Sequence, residues 1–108
     1  MSNRISGAEA LRLVRSGAVL IDVRSAAGRA AHGEVKGAAI IAKSDVLEFL
    51  RDRSGIAAGD RPVVVFCGSV AGSGPIIERL LAAGITNAVD VEGGFAALTG
   101  PDGLSLAG

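Results

Sequence analysis

The spacing of apolar residues along the chain predicts strands that alternate with helices. The continuous run Val63–Phe66 is typical of a strand that is covered on both faces in a parallel sheet. Farther along, Ile77, Leu80 and Leu81 are spaced three and four residues apart, which places them on one stripe of a helix. Alternation of this kind predicts an α/β fold with a mainly parallel sheet.

Capping residues and glycines indicate where these elements begin and end. Ser6 and Glu9 form a capping-box pattern that opens a first helix, and this helix is predicted to end at Gly17. Ser44 is predicted to cap a later helix, and Gly84 suits the left-handed position that follows the helix after Val63–Phe66. The predicted strands are residues 4–5, 19–23, 38–42, 63–66 and 88–91.

These elements predict a single α/β domain that spans residues 1–108. Its five-stranded, mainly parallel sheet is flanked by helices on both faces, and 63–66 is the central strand. We expect the core to comprise about residues 4–98. The Gly-rich segment 99–108 contains Pro101 and is predicted to be a loosely held tail.

Composition excludes several classes of function. The chain has 11 basic and 11 acidic residues and only three aromatic residues, all Phe, so neither nucleic acid nor an anionic membrane is an expected partner. No apolar run reaches the roughly 20 residues that a membrane span needs, and the N-terminus has no apolar signal core. The single cysteine permits no internal disulfide, which fits a reducing compartment. We therefore expect a cytoplasmic protein.

The only cysteine, Cys67, follows the central strand directly and begins a loop of small residues that leads into a helix. Open α/β sheets bind ligands at this edge. A helix N-terminus and the amides of a Gly- and Ser-rich loop stabilise an anion, and here they would favour a nucleophilic thiolate. The alternative is a buried, inert cysteine, which is the more common fate of that residue type. The strand–loop–helix context favours the nucleophile.

Polar residues near the other strand ends allow more than one interpretation. Asp22 lies at the buried end of the second strand. There it either forms hydrogen bonds or lowers the stability of the fold by on the order of several kcal/mol. His32 is interpreted as exposed. The cations of this region are interpreted as surface charges, one of which could swing over the cysteine loop: Arg24, Arg29, Lys36 and Lys43.

Three stretches in this order carry a family resemblance: Ile21–Arg24, Gly33–Ala38, and Cys67 through the Glu92-Gly93-Gly94 turn. On these motifs the chain resembles the rhodanese-like domain family, of the single-domain sulfurtransferase type, over nearly its full length. The resemblance implies a five-stranded parallel sheet with Cys67 after the fourth strand. It also implies a sulfurtransferase in which this cysteine accepts a sulfane sulfur as a persulfide and passes it to a thiol or another nucleophile.

The same resemblance implies the roles of further residues. Asp22 and Arg24 match the family's Asp-Val-Arg segment and are expected to support the site. The expected partner is a small sulfur-containing donor or a persulfidated protein, and neither a metal nor an organic cofactor is implied. Backbone amides that would bind the anionic persulfide belong to Gly68, Ser69, Val70, Ala71, Gly72 and Ser73.

The sequence departs from the family pattern at several positions. Gly68 and Gly72 stand where loops with good thiosulfate activity usually carry arginine. The family's Gly-His-Ile-Pro-Gly-Ala motif has Glu34 and Lys36 in place of its histidine and proline, and Gly28 lies near the place of a family glutamate. Without a cation in the loop, thiosulfate is expected to be a poor donor.

Two other enzyme classes conflict with the sequence, whereas a module without catalytic activity stays open. The pattern Gly68, Gly72, Gly74 resembles that of short-chain dehydrogenases, but only one strand follows it and the chain contains no Tyr. A phosphatase of similar fold needs a loop arginine, which Gly72 and Ser73 do not supply. The alternative that stays open is a catalytically silent rhodanese-fold module for binding or regulation, with Cys67 idle. Glu34, which would repel anions, favours it.

Overall fold

The computed structural model describes residues 4–51, 62–68, 74–99, 103 and 106–107. A short 3₁₀-helix, Lys43–Asp45, precedes α3. The helices are α1 Gly7–Arg15, α2 Ala26–His32, α3 Val46–Arg51, α4 Gly74–Ala82 and α5 Gly94–Leu98. The strands are β1 Arg4–Ile5, β2 Val19–Asp22, β3 Glu34–Val35, β4 Ala39–Ile40, β5 Val63–Phe66, β6 Ala88–Val91 and β7 Leu106–Ala107.

Five of these strands form one parallel sheet in the order β1-β6-β5-β2-β4. Strand β5 lies in the middle, where it pairs with both β2 and β6. The predicted five-stranded parallel sheet and its central strand are therefore confirmed. The structure adds a separate antiparallel ribbon of β3 and β7, which the sequence pattern did not predict.

The side chains of β5 alternate between the two layers of the core. Val63 and Val65 pack in one apolar cluster with residues of α3 and α4. Val64 and Phe66 pack in a second cluster with residues of α1 and α5. Because neighbouring residues of a strand point to opposite faces, this division shows helices covering both sides of the sheet.

The first helix is capped as its sequence predicts. The Ser6 side chain accepts a hydrogen bond of 3.1 Å from the Glu9 backbone amide. The exposed Glu9 carboxylate pairs with Arg12, and hydrogen bonding from this guanidinium lowers the pKa of Glu9 below its ordinary value. Gly17 has a φ of +105° and ends the turn after α1. The prediction for Gly84 is also confirmed, with a φ of +89° after α4.

The structure corrects the predicted start of the third helix. Ser44 is not its N-cap, because the chain is already helical in the 3₁₀ turn Lys43–Asp45, whose 2.8 Å hydrogen bond joins the Asp45 amide to the Ala42 carbonyl. The Ser44 hydroxyl lies 3.4 Å from the Asp45 carboxylate instead. Helix α3 then begins at Val46.

Two residues of the predicted tail pair with the body of the domain. Leu106–Ala107 form β7 and lie antiparallel to Glu34–Val35. Most of residues 99–108 lie outside the described ranges, so the loose tail stays a prediction. Among the described helices, none combines the length and apolar character that crossing a membrane requires.

Candidate functional site

Cys67 lies at the carboxyl end of the central strand, as predicted. This residue is buried, with only 4% of its surface exposed. The Cys67 carbonyl accepts a 2.8 Å hydrogen bond from the Phe95 amide of α5, and the Phe66 carbonyl accepts one of 3.1 Å from Val23. These bonds hold the backbone at the cysteine from two sides, by Val23 directly after β2 and by Phe95 of α5.

Only the first residue of the predicted anion-binding loop is described. Gly68 is exposed, and a Cβ atom built on it would lie 3.8 Å from Cγ and Cδ of Arg24, which is ordinary van der Waals contact. The remaining loop residues lie outside the described ranges, so their role in binding an anion through backbone amides stays a prediction: Ser69, Val70, Ala71, Gly72 and Ser73. Helix α4 begins at Gly74.

The two supporting residues form a buried ion pair beside the cysteine. The Arg24 guanidinium donates from Nη2 to Asp22 Oδ2 at 2.7 Å and from Nε to Asp22 Oδ1 at 3.0 Å. The Arg24 amide also donates to this carboxylate at 2.9 Å. Asp22 is therefore hydrogen-bonded rather than orphaned. The interpretation of Arg24 as a surface charge is wrong, since its side chain is 2% exposed and Asp22 neutralises it where it is buried.

Aromatic rings and a backbone carbonyl complete the surroundings of Arg24. Its Cζ lies 4.2 Å from the centre of the Phe95 ring and 5.6 Å from that of Phe66. Nη2 also donates to the Gly33 carbonyl at 2.9 Å. Nη1 is buried without a hydrogen-bond partner among the described residues, and the nearby rings supply a cation–π contact for the group. Arg24 thus contacts the last residue of β2, the residue that follows α2, and α5.

Phe95 is a site residue that the sequence analysis missed. It follows the Glu92-Gly93-Gly94 turn, in which Gly93 and Gly94 have φ values of +87° and +58°. These left-handed conformations turn the chain back so that α5 starts against the cysteine. The turn motif was visible in the sequence, whereas the contact of Phe95 with Arg24 was not.

A cavity of about 920 Å³ opens at Cys67 and Gly68. Its basic lining residues are Arg24, Arg29, His32 and Lys43, and no carboxylate is among its lining residues in the described part of the chain. Its other lining residues are small or apolar: Val23, Ser25, Ala26, Gly28, Ile40, Ala42 and Ser44. Cys67 therefore lines the same cavity as these basic residues.

The charges of Arg29 and Glu34 offset each other near the cavity, and His32 is exposed there. Arg29 donates to the Arg24 carbonyl at 2.8 Å and lies 3.3 Å from the Glu34 carboxylate, so it is not an isolated surface charge. Glu34 does not line the cavity of Cys67, and this ion pair offsets its charge. His32 is exposed, as predicted, and its ring centre lies 6.0 Å from that of Phe95.

The described residues also bear on metal binding. Within 4–51, 62–68, 74–99, 103 and 106–107, no group of three or more His, Cys, Asp or Glu residues is arranged to hold a metal ion. A thiol at the end of a central parallel strand, beside a basic cavity, is suited to nucleophilic attack on an anionic compound.

This combination of a five-stranded parallel sheet and a cysteine after its central strand defines a class of α/β domain. The family model for the rhodanese-like domain matches residues 6–100, and the chain belongs to that family.

Particular relatives agree with this assignment. The chain is 34% identical over 92 residues to the thiosulfate sulfurtransferase GlpE of Pseudomonas entomophila, a match that covers 85% of this chain and 80% of the relative. It is also similar to the crystal structure of a rhodanese-like domain protein from Staphylococcus aureus, with 25% identity, a TM-score of 0.73 and full coverage of both chains. A possible tyrosine phosphatase from Rhodopseudomonas palustris shares the fold at 24% identity and a TM-score of 0.72, over 89% of this chain and 78% of that one.

Proposed function

We propose that the protein is a sulfurtransferase in which Cys67 accepts a sulfane sulfur as a persulfide and passes it to a thiol or another nucleophile. The observation that carries the proposal is the position of Cys67, at the end of the central strand and on the wall of a basic cavity. Similarity to a relative named as a thiosulfate sulfurtransferase supports the same class of reaction.

The proposed cycle has two displacements at sulfur. The Cys67 thiolate attacks the outer sulfur of the donor, and the donor's S–S bond breaks with its electron pair on the leaving group. With thiosulfate, the products are the Cys67 persulfide and sulfite. An acceptor nucleophile then attacks the outer sulfur of the persulfide, and the Cys67 thiolate leaves. Neither displacement transfers electrons to a cofactor, so we propose none.

Residues around the cysteine would position it and stabilise its charge. Asp22 and Arg24 are positioning residues, since they join the end of β2 to the backbone at Gly33. The amides of Gly68 to Ser73 would bind the anionic persulfide, because successive N–H donors in such a loop converge on one point. Helix α4, which starts at Gly74, adds its positive end.

We further propose that thiosulfate is a poor donor relative to a persulfide donor or a persulfidated partner protein. Thiosulfate carries two negative charges, and both lose solvent when it binds. Amide dipoles can stabilise one anionic sulfur, whereas Gly68 and Gly72 supply no side-chain charge for the sulfonate end.

We expect Gly68→Arg to raise thiosulfate:cyanide transfer by about tenfold or more, because one charge-assisted hydrogen bond contributes about 1.5–3 kcal/mol. The side chain has room to leave the backbone at this position, where a Cβ would make only 3.8 Å contacts. The measurement is the initial rate of thiocyanate formation. Gly68→Gln is the control, since it adds a long polar side chain without charge. Efficient thiosulfate transfer by the unmodified protein would refute the proposed donor preference.

A catalytically silent module for binding or regulation is the second candidate. The specific observation in its favour is that Cys67 packs within the apolar core cluster and is 4% exposed. Mass spectrometry of the intact protein after incubation with thiosulfate and with a small-molecule persulfide separates the two. Gain of one sulfur atom on Cys67 supports the transferase, and no gain with either compound supports the silent module.

A further inference from the structure

The charges around the cavity of Cys67 are not all balanced. Arg24 is neutralised by Asp22 at 2.7 Å, and Arg29 is paired with Glu34 at 3.3 Å. Lys43 lines the same cavity, is exposed, and has no carboxylate partner within the described part of the chain. Among the described lining residues, Lys43 on the 3₁₀ turn between β4 and α3 therefore carries the formal charge that no ion pair balances, and the Asp45 carboxylate of the same turn does not line the cavity.

An apolar wall lies close to this charge along the chain. Ile40 belongs to the edge strand β4 and also lines the cavity. It is 49% exposed and is the one large hydrophobic residue that is exposed among the described residues. Ala26 and Ala42 extend the apolar lining. An exposed isoleucine gains hydrophobic stabilisation when a ligand covers it.

The size of the cavity is also unlike that of thiosulfate. Cavities of about 300–1,000 Å³ typically hold organic ligands, and this one measures about 920 Å³. Thiosulfate has five heavy atoms and no apolar part, so it would leave Ile40 without an apolar partner. Its two negative charges would also meet only one unbalanced cation.

We propose that Lys43 and Ile40 select a sulfane-sulfur donor with one negative charge and an apolar organic group. This inference rests on the proposed function. Lys43 attracts the anionic end, and Ile40 covers the organic group. Both residues act on the donor before sulfur transfer, so they determine which donor reaches Cys67.

Benzenethiosulfonate is a probe of this class. The Cys67 thiolate attacks its outer sulfur and forms a new S–S bond. The bond between that sulfur and the sulfonyl sulfur breaks, its electron pair leaves on benzenesulfinate, and the cysteine retains the persulfide. One negative charge enters with the donor and one leaves with the product, so no oxidant or reductant is required.

The role of Lys43 is tested without any sulfur transfer, by alkylating Cys67 with anionic iodoacetate and with neutral iodoacetamide. We expect Lys43→Gln to lower the ratio of the two rate constants by about three- to tenfold, because the variant loses attraction for the anion alone. Lys36→Gln is the matched control: this lysine is also exposed but does not line the cavity, and it should leave the ratio unchanged. At about 1 M salt the difference should shrink, since the screening length falls to about 3 Å.

The role of Ile40 is tested with two donors of equal charge, benzenethiosulfonate and methanethiosulfonate. Ile40→Thr keeps a β-branched side chain on the strand but removes apolar surface. We expect it to slow persulfide formation from benzenethiosulfonate by about three- to tenfold more than from methanethiosulfonate. Equal slowing with both donors, or none, would overturn the role of the apolar wall.

The outcomes separate this inference from the proposed function. If Cys67 gains sulfur but Lys43→Gln leaves the alkylation ratio unchanged, the selection by Lys43 is refuted and the transferase stands. If the ratio falls but no donor loads the cysteine, the proposed function is refuted while the electrostatic role of Lys43 stands. Failure of both alkylating reagents to modify Cys67 would overturn both, because the cavity would then not give access to the thiol.

Discussion

Cys67→Ser is expected to take up no sulfur from any donor, with transfer reduced by at least about three orders of magnitude. A serine hydroxyl is a far weaker nucleophile than a thiolate at neutral pH and forms no persulfide. The measurement is the mass of the intact protein after incubation with benzenethiosulfonate, together with the steady-state rate of transfer to a thiol acceptor.

Folding of the variant is the control for this prediction. The residue is buried in an apolar cluster, so a hydroxyl there costs about 1–3 kcal/mol of unfolding free energy. Cys67→Ala avoids this cost and should lose activity equally. Sulfur gain by either variant would place the nucleophile elsewhere and contradict the mechanism.

Asp22→Asn is expected to lower the free energy of unfolding by about 3–5 kcal/mol, since it leaves the Arg24 charge buried without its counter-ion. Both side chains are almost fully buried, at 1% and 2% exposure, and three hydrogen bonds from the guanidinium reach this carboxylate. Urea unfolding followed by circular dichroism measures the change.

Two companion variants test the cause. Replacing Arg24 by Met in the Asp22→Asn background should recover part of the stability, because the unpaired charge is then removed. Glu9→Gln breaks an ion pair with Arg12 on the surface of α1 and should change stability little. A small effect of Asp22→Asn, comparable to that of Glu9→Gln, would show that the buried pair does not stabilise the domain.

The main sheet could be predicted because its signals are local. Val63–Phe66 is apolar on both faces, and the structure places it as the central strand in contact with both core clusters. Ser6 caps α1 through a bond that spans three residues. The β3–β7 ribbon could not be predicted, since each strand has two residues and neither carries a period.

The surroundings of the cysteine were less accessible to sequence reasoning. The position of Cys67 follows from one strand and one loop, and it was predicted correctly. The burial of Arg24 depends on Asp22, two residues earlier in the chain, and on Phe95, which comes much later. Lys43 and Ile40 have no motif that links them to the cysteine, and only the folded chain brings them to the same cavity.

The hydrogen bond from the Phe95 amide to the Cys67 carbonyl has a consequence for how such domains diversify. Cys67 is anchored by α5, a helix that is separate in the chain from both β5 and the loop that follows the cysteine. Substitutions in the loop can therefore alter charge without moving the cysteine from its place at the sheet edge. The anchor of the cysteine and the charge of the loop therefore belong to different parts of the chain, so we expect the donor preference to change through loop substitutions that leave the core as it is.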